Sequence, residues 1–228
     1  MYQNKFTSKL FYKKYAYRLG IKFHLASIFR NKDFNYAKYR IDLWNQEVAK
    51  GVTPKFGLYG RGDDIQMSDL HLALRLLNIF STANTDYTLR IEHKTINVFS
   101  NDTVWLDSLK IKLHDHIVDF LEPADTNIAL HLLKNPDIEI VKNKEYEYKL
   151  KTRYARQSFK SFGEWCQKFP NHVKISNIFL NELLTDTFLS EGRIIYVKDK
   201  KTLNIVTLFI GEGIQSVTTL VTIEDLDI

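Results

Sequence analysis

The chain has 228 residues, 44% hydrophobic and 26% charged, which suits one large folded domain or two small ones and excludes disorder as the main state. One cysteine, Cys166, rules out an internal disulfide and suits a reducing compartment, and nine glycines leave little material for Gly-rich phosphate loops. The net charge of +5 hides an asymmetry: residues 1–40 carry ten Lys or Arg against the single acid Asp33, a net of +9, leaving −4 for the rest.

Residues 15–25 predict a long strand, since Tyr15, Tyr17, Leu19, Ile21, Phe23 and Leu25 alternate with Ala16, Arg18, Gly20, Lys22 and His24. One face is then apolar and the other wet and basic. Asp33 predicts the N-cap of a helix that ends at Gly51, with Phe34, Ala37, Ile41, Trp44 and Val48 as its apolar stripe. A Gly- and Pro-containing loop covers 52–66. Ser68 predicts the cap of a leucine-rich helix over 69–80.

Tyr87, Leu89 and Ile91, a His93-Lys94 turn, and Ile96 and Val98 predict a hairpin. Asn101 or Asp102 then caps a helix through Trp105 and Leu109, followed by a strand over 117–121 that Pro123 ends. A short helix over 126–134 stops at Asn135-Pro136. Residues 137–142 and 145–153 predict a second hairpin. Ser158 predicts the cap of a helix holding Phe162 and Trp165, with a strand starting near His172. Residues 193–198 and 203–210 predict a third hairpin. Strand–strand–helix–strand thus appears twice, as a shared architecture.

The expected fold is α+β: antiparallel sheets built from β-hairpins with helices packed on one face, as two ferredoxin-like halves. The expected organisation is a basic strand-plus-helices region over 1–84 and a hairpin-helix-strand repeat region over 85–228, either as separate domains or as one continuous domain, with 52–66 and 122–136 as candidate seams. Lys and Tyr interrupt every apolar run near the N-terminus, and no stretch approaches the roughly 18 apolar residues of a membrane span. The expected location is cytoplasmic, with no membrane partner.

Leu113-His114-Asp115-His116-Ile117 is the most suggestive short cluster. On a strand, His114 and His116 would share one face, with Asp119 as a third metal ligand. The pattern resembles the His-x-His metal site of rolling-circle replication initiators, whose Tyr-x-x-Lys element is matched by Tyr146-Glu147-Tyr148-Lys149. That resemblance implies a metal-dependent nickase with Tyr146 as nucleophile. The family's middle residue is apolar where Asp115 stands, and its tyrosine lies on a helix where Tyr146 lies in an alternating pattern. The histidines are therefore read as solvated groups at a helix end. Asp63, Asp64 and Asp69 are read likewise as a polar loop and an acidic first helical turn, and no cofactor or nucleotide fingerprint is present.

The basic, aromatic N-terminus is a property of forty residues rather than of three. Lys9, Tyr12, Lys13, Lys14, Arg18, Lys22 and His24 are the candidate binding residues, cations for phosphates and rings for unpaired bases. The expected partner is single-stranded DNA or RNA, or another polyanion. The expected role is that of a nucleic-acid-associated accessory protein, and the Lys-, Asn- and Ile-rich composition suits an AT-rich genome such as a phage or mobile element. The alternatives are head-to-tail self-association of the cationic and anionic chain ends, giving a homo-oligomer, and a metal-dependent nuclease using His114, His116 and Asp119.

Overall fold

A computed structural model describes residues 3–57, 62–185 and 188–226. The chain forms two compact units, Met1–Thr126 and Asn127–Ile228. The junction falls inside the 122–136 seam. The boundary expected at 84/85 instead lies between two elements of the first unit, whose strands pair with one another across it.

In the first unit, β1 (Gln3–Phe6) and β2 (Tyr17–Lys22) precede a 3-10 stretch (Ala26–Lys32) and α1 (Phe34–Ala49). A two-stranded ribbon, β3 (Lys55–Phe56) and β4 (Asp63–Asp64), leads to α2 (Met67–Ser81). The expected hairpin follows as β5 (Tyr87–Glu92) and β6 (Thr95–Ser100), then α3 (Thr103–Lys112), a 3-10 turn (His114–His116) and β7 (Ile117–Glu122). The strand expected over 15–25 is shorter than its alternation. Its odd residues Leu19, Ile21, Phe23 and Leu25 are all buried, but the backbone leaves the ladder after Lys22 and curls into the 3-10 stretch. Period two reported burial there, not pairing.

Asp33 and Asp102 cap their helices as expected, accepting from Tyr36 N and Trp105 N at 2.9 Å each. The cap of α2 is Gln66 instead of Ser68. Its backbone N–H donates to Asp69 in a reciprocal capping box that starts the helix earlier. Leu19, Ile21, Ile96, Val98 and Phe120 form one sheet face and pack with Trp44, Leu70, Leu76, Phe80 and Leu106 from the helices.

The second unit runs α4 (Thr126–Lys134), β8 (Ile138–Ile140), β9 (Tyr148–Thr152), α5 (Lys160–Lys168), β10 (Val173–Lys174) and α6 (Asn177–Thr185). It continues with β11 (Ile194–Val197), α7 (Lys200–Ile210), a 3-10 turn (Gly211–Gly213) and β12 (Ile214–Val221). Two expected hairpins are overturned. β8 and β9 are separated by β12, which pairs with both. Residues 203–210 are helical because Asp199 caps the segment, accepting from Thr202 N at 2.8 Å, and Leu203, Val206 and Ile210 bury a three- and four-residue stripe. Ser158 does not cap α5 with a side-chain bond to its N2 or N3 position; the N-cap is Phe159.

The strand orders are β1-β7-β2-β6-β5 and β8-β12-β9-β11-β10. These are one topology twice. Each unit's first strand lies at an edge parallel to the last, and the other four are antiparallel in ferredoxin-like order. The likeness reaches single residues. In each unit an aspartate, Asp102 or Asp199, caps the helix that follows the fourth strand, and a 3-10 turn leads from that helix into the last strand. The last strand carries one bulge, at Val118 or Gln215. Phe120–Leu19–Val98 and Val217–Leu150–Ile195 are equivalent core rows. On that alignment Tyr15-Ala16-Tyr17-Arg18-Leu19 matches Tyr146-Glu147-Tyr148-Lys149-Leu150.

Candidate nucleic-acid interface

Pleating sends the residues between the core positions of the first sheet to its other face. Strand register arranges them in rows: Lys5–Leu121–Arg18–Phe99–Thr88, then Asp119–Gly20–Asn97–Arg90, then Lys22–Thr95–Glu92. A turn through 11–15 folds onto this face. Phe11 and Tyr12 meet Phe99 at 5.1 and 5.0 Å between ring centroids, the second edge-on.

The turn is held tightly. Phe11 and Tyr15 exchange backbone hydrogen bonds of 2.8 and 2.9 Å, and Asn101 bridges Ala16 N and Lys14 O. Tyr12 (φ 54°) and Lys13 (φ 55°) both adopt left-handed backbone, which costs a non-glycine residue about 1 kcal/mol or more. The Tyr12 ring stays 55% exposed.

The structure brings Tyr12, Arg18 and Lys22 to one face but divides the other predicted residues. Arg18 is largely enclosed, and its Nη2 lies 2.6 Å from Asp119 Oδ2. That pair depends on Gly20, because a Cβ there would sit 2.4 Å from Asp119 Oδ1. Arg18 is thus neutralised by the protein's own carboxylate. Lys14 lies at the sheet end, 2.6 Å from Asp86. The hydrogen bond raises the Lys14 ammonium above its ordinary pKa and holds the Asp86 carboxyl below its own. His24 belongs to the helix side, 3.5 Å from Asp69 and edge-on to Phe56.

The N-terminal cations therefore do not gather on one surface. Lys32 is partly buried over the Tyr87 ring at 3.6 Å, which lowers its pKa by desolvation, and Arg40 stacks on Trp44. Lys9 precedes the turn and Lys13 lies within it, both exposed. Lys22 is exposed at the end of β2. Sequence reasoning missed Lys5 and Arg90 as further cations of this face, Arg90 being paired with Glu92 at 2.9 Å. Arg90 was legible as the residue between Leu89 and Ile91, but Lys5 reaches this face only through the parallel pairing of β1 with β7.

The His-x-His cluster does not form the strand site. His114 and His116 occupy a 3-10 turn, where residues two apart diverge, and Asp119 is committed to Arg18. Among the described residues no group of three or more His, Cys, Asp or Glu is placed to hold a metal. Tyr146 precedes β9. Asp225, in the acidic C-terminal stretch, already faces Lys144 at 3.2 Å and accepts from Thr222 N. No helix among the described residues is long and apolar enough to cross a membrane. No family model, curated protein or solved structure matches this chain.

Proposed function

We propose that the protein is a nucleic-acid-associated accessory protein that binds single-stranded DNA or RNA on the face of its first sheet opposite the Leu19–Val98 core. The observation that carries this reading is the Tyr12 turn. Two non-glycine residues hold left-handed backbone, and the turn stands an exposed ring on the same face as Lys22, Lys5 and Arg90. Strain of this kind concentrates at functional sites, and a ring on a face that also carries exposed cations suits unpaired bases and their phosphates. The face carries Lys5, Arg18, Lys22 and Arg90 against Asp119 and Glu92, so its balance is positive.

The test is fluorescence anisotropy of a labelled single-stranded oligonucleotide across a salt series. Affinity is expected to fall steeply with salt, and Lys5→Ser and Lys22→Ser each to reduce the salt slope by about one. Tyr12→Ser should weaken binding with the slope unchanged. Lys14→Ser, whose ammonium already faces Asp86, should alter little. Absence of binding at low salt, or full affinity in a Lys5, Lys22 and Tyr12 triple variant, overturns the reading.

A further inference from the structure

The second sheet turns Leu150, Val173, Ile195, Val197 and Val217 into its own core. Lys149, Lys151, Lys174, Tyr196 and Thr218 consequently lie on its other face, and register places Lys174–Tyr196–Lys149–Thr218 in one row. The repeated topology makes this the counterpart of the row Thr88–Phe99–Arg18–Leu121. In both, the third member is a cation held by an acid: Arg18 by Asp119 at 2.6 Å and Lys149 by Glu139 at 2.9 Å.

The two rows differ at the aromatic residue. Phe99 is 4% exposed because the chain's own Phe11 and Tyr12 rings cover it. Among the described residues no pair of rings covers Tyr196 in this way. It is half-buried, its one ring neighbour among the described residues is Tyr146 at 6.1 Å, and a groove of 440 Å³ opens beside it toward Lys174 and Ser176. Lys151 and Lys174 are exposed, and neither pairs with a carboxylate of the described residues.

We propose that this face of the second unit is a further single-stranded nucleic-acid site, with Tyr196 stacking a base and Lys174 and Lys151 meeting the phosphates. The first unit shows that a planar ring fits against this position of the sheet; in the second unit the ring comes from outside. A partly exposed tyrosine between cations is the combination that takes unpaired bases, whose rings a duplex keeps stacked. The proposal shares its ligand class with the function proposed above and adds a second surface to it.

The experiment uses the full chain, a single-stranded oligonucleotide carrying 5-iodouracil for photocrosslinking, and heparin as a polyanion without bases. Crosslinks are expected on the peptide holding Tyr196. Tyr196→Leu should weaken oligonucleotide binding about tenfold while leaving heparin elution unchanged. Tyr196→Phe, which restores the residue type of Phe99, should bind as wild type. Lys174→Ser lies on a short exposed edge strand and should weaken both ligands.

Continued shielding of Cys166, a core residue of this unit, checks that each variant remains folded. Wild-type affinity in folded Tyr196→Leu, or in Lys174→Ser should Tyr196→Leu unfold, overturns the proposal. So do crosslinks confined to the first unit, which leave the first-sheet reading standing. Loss of binding in the Tyr196 variant but not in those of Lys5, Lys22 and Tyr12 sustains this site and removes the other. A wild-type chain that binds no strand removes both.

Discussion

Gly20→Ala isolates the ion pair at the centre of the first sheet. The new methyl would meet Asp119 Oδ1 at 2.4 Å, whereas its next neighbours, at 3.4 Å and beyond, are ordinary contacts. The carboxylate must therefore swing off β2 and release Arg18. Both partners are about four-fifths enclosed, with 22% and 18% of their side chains exposed, so solvent screens the pair little. A charge-assisted hydrogen bond lost there costs roughly 1.5–3 kcal/mol. Removing a glycine from a strand returns about 0.5–1 kcal/mol. The net expectation is a destabilisation of about 1–2 kcal/mol, read as a lower urea midpoint at unchanged slope for the transition of the first unit. In an Asp119→Ala background the obstruction is gone, so Gly20→Ala should stabilise by roughly 0.5–1 kcal/mol. The two substitutions then couple through a double-mutant cycle. Equal destabilisation in both backgrounds would refute the argument, because the methyl would be clashing with something other than Asp119.

Further outcomes follow from single sites. Burial pushes the Cys166 thiol up to about 12, so it should resist a disulfide exchange reagent at pH 8 and react fully only in denaturant. The Lys14 ammonium depresses the Asp86 carboxyl below its ordinary 3.8. Its stabilising effect should be present above that ordinary value and be lost as pH falls through the lowered one. A side-chain NMR titration should show this midpoint returning toward the ordinary value in Lys14→Ser. His93 takes φ 52° at the first position of the two-residue β5–β6 turn, where glycine is favoured. His93→Gly should stabilise by about 0.5–1 kcal/mol in urea unfolding, and a loss of stability would contradict the turn geometry.

Local signals in the sequence were dependable where the deciding contact was also local. Asp33 and Asp102 announced their helices because a cap bonds three residues onward. The β5–β6 hairpin and the inward face of β2 followed from alternation. Failure came where pairing spans the chain. Nothing near β8 or β9 shows that β12 will insert between them, and the apolar residues of 203–210 satisfy both periods until Asp199 is seen to bond Thr202 N. The candidate site divides the same way. Tyr12 and Lys22 were legible from composition and alternation. The neutralisation of Arg18 was not, because it needs β7 beside β2 and a glycine opposite Asp119. The repeated topology was visible only as an outline until register aligned Arg18 with Lys149 and Phe99 with Tyr196.

All ladders of the two large sheets close on one side or the other of the Thr126–Asn127 junction; neither sheet borrows a strand from its neighbour. A gene divided at that codon would part no hydrogen-bonded strand pair and would leave each fragment its own apolar interior. Producing and melting each half separately tests whether its own core suffices, and a half that folds lets the contribution of its sheet be weighed on its own.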